Sequence, residues 1–177
     1  TSLNSVIFSD SSTLKAIGSS AFEGCSNLSS IRLSDSILQT DDTSLQLPHT
    51  IAKIGDNAFK NTALAGSICF YAEMVFIGKK AFENTQINKI ILDPDSQVTL
   101  EVFPYAFANY FESISISIEL AHKDSSLILY NNAFNNVENV NIYVANKANR
   151  EIVYLNKYNT DYLGITGDVL FLEPQGV

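Results

Sequence analysis

LKAIGSSAFEGCSNLSSIRL, residues 14–33, holds two patterns in tandem. The first is Ile17-Gly18-x-x-Ala21-Phe22, and the second is Leu28-x-x-Ile31-x-Leu33. Both recur along the chain. Ala-Phe returns at Ala58-Phe59, Ala81-Phe82, Ala106-Phe107 and Ala133-Phe134, and subtracting successive alanine numbers gives spacings of 37, 23, 25 and 27 residues. Four residues before each alanine sits an aliphatic residue: Ile17, Ile54, Ile77, Val102 and Leu129. In the first three copies a glycine follows it. The second pattern reappears as Ile87, Ile90, Leu92; as Phe111, Ile114, Ile116; and as Val137, Val140, Ile142. A copy one residue longer runs Leu64, Ile68, Phe70, and Leu3, Val6, Phe8 supplies the tail of a sixth unit. The chain therefore opens inside a repeat and reads as a fragment or a processed form.

Self-similarity of this kind marks a repeat architecture, in which each unit stacks on the next. The I-x-L portion alternates with period two, which is the signature of a strand with one face inward. One such strand per unit, stacked in register, gives a parallel sheet along one side of a coil. The Ile-Gly-x-x-Ala-Phe half returns the chain across the other side. There glycine is expected to tolerate backbone angles that a side chain would forbid. Alanine leaves room for phenylalanine rings stacked in the interior, each worth about 1.5–3 kcal/mol on burial.

The irregular spacings report insertions. SDSILQTDDTSLQL, between Leu33 and the end of the segment at Leu47, is expected to protrude as a loop or extra hairpin. A shorter excursion is placed from Glu119 to Ser126, carrying His122, Lys123 and Asp124. After Tyr143 the repeat stops. ANKANREIVYLNKY, residues 145–158, reads as an amphipathic helix with Ala148, Ile152 and Leu155 on one face, followed by two short strand-like runs. Residues 1–143 thus form the stacked domain and 144–177 its helical cap.

Composition narrows the function. With 46% apolar and 17% charged residues over 177 positions, the chain can bury one sizeable core. A net charge of −8 argues against nucleic acid, which needs clustered Lys and Arg. No apolar stretch is long enough to span a bilayer. Cys25 and Cys69 are expected as free thiols facing different directions, one of them buried. His49 and His122 lack a metal partner three or four residues away, so they read as loop residues. Asp41-Asp42 and Asp93-Pro94-Asp95 read as turn formers rather than calcium ligands. No nucleophile elbow or phosphate loop occurs. The expectation is no enzyme, no cofactor and no metal.

The outer, concave face of the sheet is the candidate binding surface. Residues flanking the inward Ile and Leu point to solvent and are mostly small and polar. Arg32, Tyr71, Lys89, Asp93 and Tyr143 stand out as contact residues, with Tyr71 and Tyr143 expected in one column.

The tandem L-x-x-I-x-L and I-G-x-x-A-F frame, with Cys or a small polar residue after it, resembles the BspA-like, or treponemal-type, leucine-rich repeat. The resemblance rests on residues 14–33, 47–70, 74–92, 98–116 and 127–142, with Cys25 at the family's Cys or Asn position and Thr62 and Thr85 replacing it later. Val102 and Leu129 depart from the family by lacking the following glycine, and Leu-Pro survives only at Leu47-Pro48. The resemblance implies an α/β, right-handed leucine-rich-repeat solenoid of about five repeats plus a partial N-terminal one. It also implies a secreted or cell-surface, non-catalytic module that binds a protein or glycan, often as an adhesin on host matrix. The alternative is a structural spacer within a larger surface protein.

Overall fold

A computed structural model describes residues 2–34, 45–144 and 160–172 of the chain. The repeated I-x-L segments form strands β1 (Ser5–Phe8), β3 (Ser30–Leu33), β5 (Ala65–Phe70), β7 (Gln86–Leu92), β9 (Ser115–Leu120) and β11 (Asn139–Val144). They alternate with β2 (Ala16–Ile17), β4 (Lys53–Ile54), β6 (Met74–Ile77), β8 (Thr99–Val102) and β10 (Ser126–Leu129). A four-residue helix, α1 (Thr160–Leu163), and β12 (Val169–Leu172) complete the order. All pairings are parallel, and each strand pairs with its equivalent one coil away, as a solenoid requires.

The odd-numbered strands make the expected sheet. Its main block has the order β12-β11-β9-β7-β5, and β1 pairs with β3 beyond it. Leu45 joins the two parts. It bridges Ile68 and its amide donates to the Ser67 carbonyl at 2.7 Å, while the Gln46 amide donates to Ile31 at 2.9 Å. The long insertion therefore ends inside the sheet rather than wholly outside it, with Leu45 and Leu47 buried. The register breaks between Gly66 and Ser67, which pair with Ile87 and Lys89, so the extra residue at this bulge is Asn88 of β7 and not one in Leu64–Phe70.

The return half forms a sheet as well. The even-numbered strands line up as β10-β8-β6-β4-β2, so parallel sheets flank the interior on two sides rather than one. Ile17, Ile54, Ile77, Val102 and Leu129 are its buried column.

Between the sheets the Ala-Phe corners stack as expected. Phe22–Phe59, Phe59–Phe82 and Phe82–Phe107 have ring centroids 5.2 Å apart, and Phe107–Phe134 5.6 Å, all within 13° of coplanar. Phe22, with no ring beyond it, is only half-buried, whereas Phe59, Phe82, Phe107 and Phe134 are sealed.

The corner backbone is built on alternation. Asn57, Asn61, Lys80, Asn84, Asn132 and Asn136 have left-handed φ near 60°, which asparagine tolerates better than most residues. Amides in turn serve their own coil and the next. Ala58, Lys60 and Thr62 donate three residues back, while Asn57, Phe59 and Asn61 donate to Lys79, Ala81 and Glu83 at 2.8–2.9 Å. Thr62 and Thr85, at the Cys25 position, are buried because each hydroxyl donates to its own turn, at Phe59 and Phe82.

Glycine at the Ile-Gly corner serves a different end from the one expected. Gly18, Gly55 and Gly78 are not left-handed. A Cβ on Gly55 would lie 2.5 Å from the Ser19 nitrogen and 2.7 Å from the Gly18 carbonyl carbon, so the residue is small because neighbouring coils touch there.

The register corrects the fourth and fifth copies. Ile90 and Leu92 stand opposite Ile118 and Leu120, which face Ile142 and Val144. Ile114 and Ile116 were expected there. The extra residues of that coil lie before its strand, at 108–114, so Glu119 and Leu120 belong to β9 and not to an excursion. Asn109, buried, accepts the amides of Phe111 (3.1 Å) and Glu112 (3.0 Å), folding these residues into a turn that leaves the Phe111 ring 80% exposed. Phe111→Ser should change stability by no more than about 0.5 kcal/mol in a urea titration; a loss near the 3–5 kcal/mol of a buried phenylalanine would refute this placement.

The amphipathic helix expected at 145–158 lies outside the described residues, and among those described α1 is the only helix. Residues 160–164 stack under the last Ala-Phe corner, with Asn132, Phe134 and Asn136 amides donating to Tyr162, Leu163 and Gly164, and β12 extends the sheet. No described helix is long and apolar enough to cross a membrane.

Candidate functional site

The outward residues of β5, β7, β9 and β11 form columns fixed by the ladder. One runs Ser67, Lys89, Ser117, Asn141; the next runs Cys69, Ile91, Glu119, Tyr143. Tyr143 therefore shares a column with Cys69, and the Tyr71–Tyr143 column expected from sequence does not exist. The fifth copy had been aligned two residues out of step with the second, and a slip of two keeps every inward side chain inward.

The candidate residues divide into local groups. Lys89 donates across the columns to Glu119, with Nζ 2.7 Å from Oε1, both side chains being partly exposed. Arg32 is exposed on β3 opposite Ile7, whose side chain is 66% exposed on β1. From β3 to β11 there are five strand steps, roughly 24 Å at the usual spacing, so Arg32 and Tyr143 sit far apart on one surface.

Tyr71 stands just past β5, and the His49 ring lies over it with centroids 3.7 Å apart at 17°. His49 is exposed and comes from the chain after the long insertion, so the loop brings its imidazole to the end of the sheet. Asp93 is partly committed to its own turn, accepting the Asp95 amide and the Ser96 hydroxyl. That is the turn-forming role expected of Asp93-Pro94-Asp95.

Cys69 joins this group. It and Cys25 are free thiols, Cys25 being buried and Cys69 partly so. Burial raises the Cys69 pKa above its ordinary value, a hydrogen bond from Tyr71 partly offsets this, and the Asp93 charge raises it again. Less of it is thiolate at pH 8 than of a free cysteine. In a Cys25→Ala background it should react more slowly with an aromatic disulfide reagent than glutathione does, and Tyr71→Phe should slow it further. Faster labelling of the Tyr71→Phe protein would contradict this arrangement.

Cross-coil polar contacts knit the rest of the face. Gln86 donates to Glu112 (2.9 Å), Ser113 to Glu138 (3.0 Å) and Asn139 to Ser115 (3.2 Å). Behind it, Glu83 is buried between Lys60 (3.0 Å) and Lys80 (3.3 Å), a structural ion cluster at the Ala-Phe corner. Among the described residues no three of His, Cys, Asp and Glu converge as metal ligands would.

His49, Cys69, Glu119 and Phe111 were not singled out as contact residues from sequence. Phe111 was instead expected inward, as the first residue of the Phe111, Ile114, Ile116 copy, and the turn held by Asn109 puts it in solvent.

A family model described as BspA type leucine-rich repeat region matches in six copies, over residues 1–43 and 38–154. Comparison with curated proteins and with solved structures gave no match.

Proposed function

We infer the function from one premise: this chain belongs to the BspA-type leucine-rich repeat family. The family reading is a repeat module for protein interaction, of a class that is generally non-catalytic. We propose that it acts at a cell surface or outside the cell, as an adhesive domain that engages a host-matrix protein or its glycans. The observation carrying this reading is the outer face of the β5–β11 sheet. It offers a wide surface of small polar residues, on which Tyr71 with His49, the Lys89–Glu119 pair and Tyr143 form separate points of contact, with Arg32 farther along on β3. Tyrosine is well suited to such contacts, since it supplies apolar area and a hydroxyl at low entropic cost. Phe111, on its turn beside the sheet, adds an exposed apolar knob.

The test is direct. Purified chain is passed over immobilised matrix proteins and glycans, and the tightest binder is titrated with the wild type and with a Tyr71→Ser, Tyr143→Ser double variant. The expected result is a loss of at least about tenfold in affinity. Unchanged affinity retires the sheet face as the binding surface, and no binder at all favours a spacer role.

A further inference from the structure

The opposite sheet carries a cavity of about 390 Å³ lined by Lys53, Ile54, Asp56, Phe76, Gly78 and Phe103. Its volume lies in the range of small-ligand sites, at the single-ring end. It arises where a column changes character. The backbone ladder places Gly18, Gly55, Gly78, Phe103 and Tyr130 one above another: the amides of Gly55, Gly78, Phe103 and Tyr130 each donate to the coil before, at 2.8–3.0 Å. The last two are rings, stacked with centroids 4.7 Å apart at 15°. The tier below, at Gly78, has no ring. One face of Phe103 is thus covered by Tyr130, and the other borders the cavity.

The chain cannot fill that tier itself. A Cβ on Gly78 would lie 2.5 Å from Asp56 Oδ1 and 2.8 Å from both the Asp56 amide nitrogen and the Gly55 carbonyl carbon. A ring there has to come from elsewhere. The repeat also indicates what the ring should carry. The neighbouring outward column is Ala16, Lys53, Phe76, Glu101 and Ile128. Tyr130 reaches diagonally to the tier before it, where its hydroxyl donates to Glu101 Oε2 at 3.2 Å. Moved two coils along the axis, the same diagonal leads from a ring over Gly78 to Lys53. Where Tyr130 needs a donor oxygen for Glu101, a ring over Gly78 needs an acceptor for an ammonium. Phe76 walls the slot, and Asp56, the other rim charge, already accepts the Lys79 amide at 2.9 Å.

We propose that this cavity binds a flat aromatic ring stacked on Phe103 above Gly78, with an acceptor oxygen at its far end held by Lys53. A free aromatic carboxylate and a tyrosine side chain of a polypeptide share that chemistry. The site is independent of the β5–β11 face and stands or falls without it.

The experiment follows backbone amides of the isotopically labelled chain by NMR during titration with 4-methylbenzoate. Saturable shifts centred on Gly55, Gly78 and Phe103 are expected. 4-Methylcyclohexanecarboxylate, which is puckered, and 4-methylbenzylammonium, whose charge is reversed, should bind about tenfold more weakly, the scale of one charged hydrogen bond or one stacked ring. Lys53→Met, at an exposed position, should weaken 4-methylbenzoate to a similar degree and leave the spectrum otherwise native, and Phe103→Leu should abolish it. N-acetyltyrosinamide separates the sources: tighter binding than 4-methylbenzoate supports a polypeptide, weaker binding a free acid. The proposal is overturned by shifts that map elsewhere or never saturate, by equal binding of flat and puckered rings, or by indifference to Lys53→Met. A methyl glucoside that binds better than every ring would also overturn it.

Discussion

Phe82→Ala should destabilise the chain by about 3–5 kcal/mol, the cost of deleting a ring whose space cannot collapse. Phe82 lies in the middle of the ring column, 5.2 Å from Phe59 on one side and from Phe107 on the other, and is 1% exposed. Rigid ladders on both sides hold the void open, because each coil is hydrogen-bonded to its neighbours and cannot sink toward them. For a domain of this size the loss amounts to roughly 6–20 °C in Tm. Phe22→Ala should cost much less, since that ring is half-buried and has one stacked neighbour. Urea titrations of both variants make the comparison. Equal losses, or a Phe82 loss below about 1 kcal/mol, would mean that the column is not what holds the coils together.

The second large effect is a difference in sign at one motif position. Gly55→Ala should destabilise by about 1–3 kcal/mol, as overpacking does, because both atoms its methyl would strike belong to the backbone and cannot swing aside. Gly18→Ala puts a methyl where nothing lies within 4 Å and the φ angle suits any residue, so it should stabilise by about 0.4–1 kcal/mol through the unfolded chain. Thermal melts of the two variants would show shifts in opposite directions. Shifts in the same direction would mean that glycine is required for its backbone angles, as the sequence first suggested.

The interior was legible because its signal is redundant. Five Ala-Phe pairs with an aliphatic residue four positions earlier leave little freedom, and the rings stack where that frame puts them. Register was a different matter. In Ile114–Leu120 every second residue is aliphatic, so slips of two or four residues bury the same kind of side chain. Only the inserted turn capped by Asn109 decides among them, and a buried asparagine accepting two amides has no periodicity to read. The second sheet was missed because its strands, two to four residues long, are too short to show alternation.

The candidate surface divides along the same line. Lys89 could be named because it is an outward residue on a clear strand, and Tyr71 because it directly follows one. Their partners could not be: His49 reaches Tyr71 across a loop, and Glu119 meets Lys89 only in the true register. The left-handed asparagines did have a signal, Asn directly before Ala-Phe or two residues after it, but its meaning depends on a neighbouring coil to receive the amide.

The amides that link one Ala-Phe corner to the next all face the same way. Ser20, Phe22 and Gly24 donate forward to Asp56, Ala58 and Lys60, and each later coil repeats the gesture toward the next. Although the Ile-Gly corner amides of Gly55 and Gly78 point the other way, along this edge the rod of coils is consequently polar. Its first described coil turns the carbonyls of Ser19, Ala21 and Glu23 outward with no described amide to meet them. Two such ends would set acceptor against acceptor at these corners. Anything that lengthens the rod there must arrive tail first, bringing donors.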